Sequence, residues 1–305
     1  MNTQQANLME IFYIIDEFCK SFDQTIKKHS LSADANKKTR NKKSKLSPSE
    51  VITILVLFHT GGYRNLKHFY LFYVSKHMNK EFPAQVSYNR FVELQKKAML
   101  PMAMFLKTCC MAECTGISFI DSTKIAVCKN KRIKRNKVFQ GIATVGKSTM
   151  GWFYGFKLHL IINDKGELLN FVITQGDVDD RAPLKNKNFT QKIFGKLFAD
   201  KGYIGQTLFE MLFVNGIQLV TRLKKNMKGA LMSYADAILL RKRSVIETVN
   251  DELKNICQVE HSRHRSLENF ITNMISGLIA YSFFPKKPSI KVEFEEKSSQ
   301  LALFY

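Results

Sequence analysis

The sequence predicts an α/β fold, a mixed sheet flanked by helices, behind an all-helical N-terminal region. Three observations predict it. Apolar residues recur at helical spacing as far as about residue 115, and short apolar strands joined by a turn begin near residue 116. A strand–helix–strand run over 197–221 is then followed by further helices. A chain of 305 residues is long enough for one large core or two modest ones.

In the first part, Leu8, Ile11, Phe12, Ile15 and Cys19 recur as one face of an amphipathic helix. Residues 27–45 carry eight Lys or Arg against one Asp and read as a basic linker, either a solvated loop or an arm that tracks phosphates. Ser47-Pro48-Ser49-Glu50 is a helix start, with Ser47 as cap, Pro48 at the first helical position and Glu50 completing a capping box. The run from Val51 to His59 stops at Gly61-Gly62, and helices are expected over 65–77 and 87–97. Three short helices with a glycine turn match a helix-turn-helix, a pattern that many small bundles share. Pro101 should open another helix that ends near Cys114.

From residue 116 the rhythm changes. Ile117 to Ile120 is a short strand ending at Asp121, with Ile125 to Cys128 as its continuation or its neighbour. Residues 152–162 and 168–174 form an antiparallel hairpin across the turn Asn163-Asp164-Lys165-Gly166. Leu197-Phe198-Ala199 is a buried strand stopped by Asp200, a helix over 204–213 ends at Asn215-Gly216, and 217–221 is again a strand. Helices should cover 244–257 and 267–284. An antiparallel hairpin set, parallel strands and then a helix is the order of the ribonuclease H-like fold. The expected division is a helical region over 1–115, the core over 116–285 and a loose tail over 286–305.

Composition narrows the partners. Lys and Arg number 47 against 26 Asp and Glu, a net charge of +21, which suits a polyanion and nucleic acid first among them. The six cysteines are scattered, and Cys110 and Cys114 have no companion pair in a zinc pattern. They read as reduced, mostly buried thiols of a cytoplasmic protein. Residues 1–20 mix Gln, Asn, Asp and Glu into their apolar positions, unlike a signal peptide. The most apolar stretch, 270–284, is interrupted by Thr272, Asn273 and Ser276 and falls short of a membrane span. The single Trp and the scattered Phe residues read as core rather than as a base-stacking platform.

Asp121 and Asp200 each close a predicted strand, at the sheet edge where reacting groups gather in open α/β folds. A lone Asp there serves equally as a turn or cap residue. On the helix from Ser244, Val245, Val249, Leu253 and Ile256 form an apolar face, while Arg243, Glu247 and Lys254 share a stripe opposite, with Glu252 well away from it. That stripe can equally be a solvated row of ion pairs. Three acids in one place would suit phosphodiester chemistry. Two Mg²⁺ ions activate the attacking oxygen and stabilise the leaving one, and this hard cation takes carboxylate ligands without a His or Cys cage.

The ordered segments Ser118-Phe119-Ile120-Asp121-Ser122-Thr123, Tyr154-Gly155-Phe156-Lys157-Leu158-His159, Phe198-Ala199-Asp200-Lys201-Gly202-Tyr203 and Ser244-Val245-Ile246-Glu247 with Lys254 resemble the landmarks of DDE transposases. His261-Ser262-Arg263-His264-Arg265-Ser266 and Leu278-Ile279-Ala280-Tyr281 are similar to the insertion-sequence 982 group of bacteria. The likeness spans roughly Leu46 to Phe284. It implies a metal-binding catalytic triad of Asp121, Asp200 and Glu247 holding two Mg²⁺ (or Mn²⁺) ions. It also implies phosphate contacts at Arg243 and Lys254. Where the superfamily has a Tyr, this chain has Leu240, so the role of that Tyr does not carry over. The short interval from Thr221 to Arg243 leaves no room for a large inserted domain.

Further DNA contacts are expected from the basic segments. From Lys124 to Lys147 inclusive there are eight Lys or Arg and no acid, the dense part being Lys129, Lys131, Arg132, Lys134, Arg135 and Lys137. Lys224 and Lys225 lead toward the Glu247 helix, and Arg263 and Arg265 precede the last one. The function implied is metal-dependent cleavage at the element's terminal inverted repeats and transfer of the freed 3′-OH into target DNA. A homodimer would pair the two ends. The alternatives are a nuclease or resolvase that only hydrolyses, and a non-enzymatic DNA-binding regulator.

Overall fold

The computed structural model describes residues 3–29, 44–149, 151–222, 232–260 and 264–291, with side chains from Leu8 onward. Helix α1 (Thr3–His29) buries Leu8, Ile11, Ile15 and Cys19, the expected stripe, and leaves Phe12 half-buried. Helix α2 (Pro48–Thr60) begins with the expected capping box. The Ser47 hydroxyl accepts from the Glu50 amide, and the Glu50 carboxylate accepts from the Ser47 amide. A cap of this kind contributes about 1 kcal/mol.

The helix expected over 65–77 is three pieces: α3 (Leu66–His68), a π-helical middle (Phe69–Val74) and α4 (Ser75–His77). Helix α5 (Tyr88–Lys97) is capped by Ser87. Helix α6 (Met99–Cys109) starts before Pro101 and stops short of Cys114. Most of the expected basic linker, 30–43, lies outside the described residues.

The sheet has six strands: β1 (Ile117–Cys128), β2 (Thr144–Ser148), β3 (Gly151–Asn163), β4 (Leu168–Gln175), β5 (Gly195–Ala199) and β6 (Ile217–Thr221). Strand β3 pairs antiparallel with β1 along one edge, and its other edge is shared by β2 and β4. Beyond β1, β5 and β6 run parallel to it. A short helix, α7 (Lys187–Thr190), precedes β5, and α8 (Gln206–Val214) makes the crossover to β6. Helices α9 (Tyr234–Arg241), α10 (Ser244–Asp251) and α11 (Leu267–Ser282) follow, with α10 continued by a π-helical turn over Glu252–Ile256. This mixed sheet with helices on both faces, behind a helical N-terminal region, is the ribonuclease H-like fold that the sequence predicts.

Several local expectations need correction. Ile117–Ile120 and Ile125–Cys128 belong to a single strand, so Asp121 lies inside β1 and not at its end. The reason is that β1 has two unequal partners: pairing with β5 stops at Phe119, whereas pairing with β3 runs on to Cys128. Strand β2 was not predicted. Its Gly146 is pressed against the Gly176 carbonyl, where a Cβ would come within 2.0 Å, so close backbone contact rather than apolar alternation fixes it. Helix α9 and the 3-10 helix Asn130–Arg135 were not predicted either. On α10, Val245, Val249 and Leu253 are buried as expected, but Ile256 is exposed and Cys257 takes the buried place. A π turn holds one more residue per hydrogen-bonded ring, which advances the buried face by one position.

Trp152 is 62% exposed, with Lys147 over its ring, and is not a core residue. Only Cys19 and Cys257 are buried thiols; Cys109 is exposed, and Cys110, Cys114 and Cys128 are intermediate.

Alternation along the strands splits the apolar residues between two faces. Phe119 and Phe198 stack and face a cluster built with α10, α11 and the N-terminal helices. Ile120, Ile161 and Leu197 face a smaller cluster closed by α7 and α8. In α11 the interrupting Thr272 and Ser276 are buried and return their hydroxyls to helix carbonyls, and Asn273 donates to the Val259 carbonyl. No helix among the described residues is long and apolar enough to cross a membrane.

Among the described residues two histidines are wholly buried, and burial pulls each down to about 4: His59 against the Cys257 carbonyl, His159 against Thr174. In the unfolded chain each would titrate near 6.5. Their neutral forms therefore add stability above that pH, which is lost as pH falls toward 4. Thermal midpoints should decline from pH 7 to pH 5, and His159→Gln should flatten the decline. A midpoint that does not move in wild type would show that these rings are not held neutral.

Candidate active site

Strands β1 and β5 pair over only three rungs, the last joining Phe119 to Phe198. Asp121 and Asp200 are each two residues beyond that rung, on neighbouring parallel strands whose usual separation is about 4.8 Å. Asp200 leads into a 3-10 turn (Lys201–Tyr203), is exposed, and makes no capping bond through its side chain. Helix α10 packs on β1 through Val245, Ile246 and Val249, which leaves Glu247 at the rim with a half-exposed carboxylate.

The electrostatics of Asp121 register both of the other acids. Burial pushes Asp121 up to about 6; Arg243 and the Ser122 backbone amide pull it down, and Glu247 and Asp200 raise it further. Asp121 Oδ2 accepts a hydrogen bond from Asn250 Nδ2 at 3.2 Å. Arg243 pairs with Glu247 at 2.5 Å through Nη2, while its buried Nη1 sits 4.0 Å from Asp121 Oδ1 with no hydrogen bond. At that length the contact is Coulombic only.

Lys254, on the π turn, lies 3.5 Å from Glu260 and also feels Asp121 and Lys124. Burial lowers its pKa, and Glu260 opposes the shift. Glu260 also accepts from the Ala126 amide at the irregular end of the β1–β3 pairing.

The donor set is chemically right for a hard divalent cation: carboxylate oxygens on rigid elements, one of them with a pKa raised by burial. Among the described residues, however, no three carboxylate, His or Cys side chains stand close enough together to hold a metal ion. Glu247 is engaged by Arg243. Of the expected phosphate contacts, Arg243 and Lys254 are at this site. Lys129, Lys131, Arg132, Lys134, Arg135 and Lys137 are exposed on and around the Asn130–Arg135 helix. That helix follows the far end of β1, roughly 25 Å along the strand from Asp121 at its usual rise. Arg265 is exposed before α11, some way along the chain from the acids, and Lys224, Lys225 and Arg263 lie outside the described residues.

Three polar residues near the acids were missed. Asn250 sits three residues after Glu247, so helical spacing places it beside the Arg243–Glu247 stripe, but a search for charges alone passes over it. Tyr203 buries its hydroxyl, without a hydrogen bond, close to Asp121 and Asp180, which with burial push its pKa well up. Lys157 donates to Asp180 at 2.9 Å and to the Val178 carbonyl.

No curated protein matches the chain in sequence. Among solved structures, it is similar to a piggyBac transposase in a cryo-EM synaptic complex with hairpin DNA. The TM-score is 0.50 and the identity 11%, over 91% of this chain and 73% of that one, a likeness of fold. A family model, described as the transposase DDE domain, matches residues 111–267, a span that runs from just before β1 to the start of α11 and holds all three acids. The chain belongs to the DDE transposase family.

Proposed function

We propose that this protein is the transposase of a bacterial insertion sequence of the 982 group, acting on the chromosome in the cytoplasm. It cleaves DNA at the element's terminal inverted repeats and passes the freed 3′-OH to target DNA. The observation that supports this reading is that Asp121 and Asp200 each follow the last β1–β5 rung by two residues, and that Asp121 feels the charges of both Asp200 and Glu247.

Asp121, Asp200 and Glu247 would hold two divalent ions, Mg²⁺ or Mn²⁺, through their carboxylate oxygens. When bound, such ions supply a deprotonated oxygen nucleophile at neutral pH and stabilise the leaving oxygen. The residues around them do the remaining work. Arg243 has one guanidinium nitrogen without a hydrogen bond, and transfer of the other from Glu247 to a phosphate oxygen frees the third acid. Lys254 sets a second positive charge beside the scissile phosphate, with Glu260 orienting it. Asn250 fixes the Asp121 carboxylate from the helix side. Residues 1–115, with their helix-turn-helix-like part, and the Lys129–Lys137 segment grip DNA, 116–285 carry out the chemistry, and two copies pair the two ends.

Three outcomes are expected. Asp121→Asn, Asp200→Asn and Glu247→Gln should each reduce Mg²⁺-dependent cleavage of a duplex carrying the terminal repeat by about 100-fold or more. Cleavage by Asp121→Asn at the parental rate would remove the assigned triad. A pre-cleaved end with a 3′-OH should become joined to a target plasmid, as seen on a denaturing gel; cleavage without joining would identify a purely hydrolytic nuclease. Replacing Lys131, Arg132 and Lys134 by Glu should flatten the plot of log affinity for duplex DNA against log salt by roughly 2–3. An unchanged slope would place that segment off the DNA.

A further inference from the structure

Away from the acids, a cavity of about 700 Å³ opens where the N-terminal helices meet the start of α11. Its size is within the ~300–1,000 Å³ range of sites that enclose small organic ligands. The turn before α3, one face of α5 and the first turns of α11 form its walls. Arg64, Lys67 and Arg265 line it, and no Asp or Glu does among the described residues. All three cations are exposed, which sets the positive charge at the mouth. The deep end is different in kind: Gln95 there is 3% exposed.

Two features go beyond charge. Tyr88 stands half-buried in the wall, close enough to Arg265 for that cation to oppose the rise in its pKa that burial causes. Asn269 turns a buried amide oxygen into this region without any hydrogen bond to satisfy it. Such an orphan acceptor costs stability unless a ligand supplies a donor. A bare phosphate would use the cations and leave the ring and amides idle. A nucleotide uses all of them: the phosphate meets the cations, the base face meets the aromatic ring, and the base edge meets the amide.

We infer that this cavity receives one nucleotide unit of a DNA strand, its phosphate at Arg64, Lys67 and Arg265 and its base against Tyr88 and Asn269. The inference rests on DNA being the partner proposed above, and it gives the N-terminal helices and the catalytic core a shared grip on the same strand. A free nucleoside monophosphate has the same chemistry, so the test includes both.

Irradiation of the full chain with a thymidine dodecamer bearing one 5-iodouracil should attach the probe to the Tyr88 peptide, as read by mass spectrometry. Attachment only at other aromatic residues, such as the exposed Trp152, overturns the site. Val92→Trp fills the cavity from α5 without changing charge, and it should weaken binding of the fluorescent dodecamer about tenfold. Thermal melting identifies folded variants, and wild-type affinity in folded Val92→Trp also overturns the site. Arg64→Ala with Arg265→Ala should flatten the salt slope for this single strand by about 1.4. Thymidine monophosphate should compete where inorganic phosphate at equal concentration does not; equal competition would reduce the site to an anion hole and reject the base contacts. DNA binding that ignores every change in the cavity defeats this inference alone, whereas a chain that binds no DNA defeats the proposed function with it.

Discussion

The three-rung parallel ladder between β1 and β5 is the constraint on which the rest of the site depends. Only Ile117, Ser118 and Phe119 pair with Lys196, Leu197 and Phe198, yet this short contact sets two acids from distant parts of the chain side by side. Its register is guarded at the start. Gly195 has φ +77 and lies so close to Gly116 that a Cβ would come within 2.4 Å of the Gly116 carbonyl, so a side chain there would force the strands apart. The Phe119–Phe198 stack secures the other end. A slip of one residue would turn Asp200 to the opposite face of the sheet, together with every apolar side chain of β5.

Given that ladder, the site is a balance of like charges held by cations. Asp121 is mostly buried, and burial raises its pKa even though Arg243 pulls it down, so the carboxylate is left with a deficit of solvation. Arg243 and Lys254 meet the deficit in different ways. Arg243 spans Glu247 and Asp121 from one helix end, while Lys254 is tethered through Glu260 to the backbone of β1. Both cations sit on the α10 segment, so any shift of that helix against β1 moves the third acid and its two counter-charges together.

Much of this was legible in the sequence because it is written in local chemistry. The Ser47–Glu50 box, the Asn163–Gly166 turn, the β5–α8–β6 crossover and the stripe containing Arg243 and Glu247 each depend on residues a few positions apart. What escaped is non-local. The continuation of β1 past Asp121 depends on β3 outlasting β5, and β2 depends on two glycines touching across the sheet. The exposure of Ile256 follows from a π turn, which shifts register without any marker in residue type. Trp152 was misplaced because its ring lies on a short edge pairing under Lys147, where apolarity says nothing about cover. Asn250 was overlooked since a neutral amide announces no role until its acidic partner is seen.

The larger apolar cluster runs unbroken from Ile11 and Ile52 through Phe105 to Leu278 and Phe156. Helix α11 is its axle, touching α2, α5 and α6 on one side while the sheet's Phe156 stacks on its Phe270. The boundary near residue 115 is therefore a change of architecture and not a seam. Severing the chain there would strip an oily flank from α11 and leave the sheet half without its lid, so the two halves stand or fall as one folding unit.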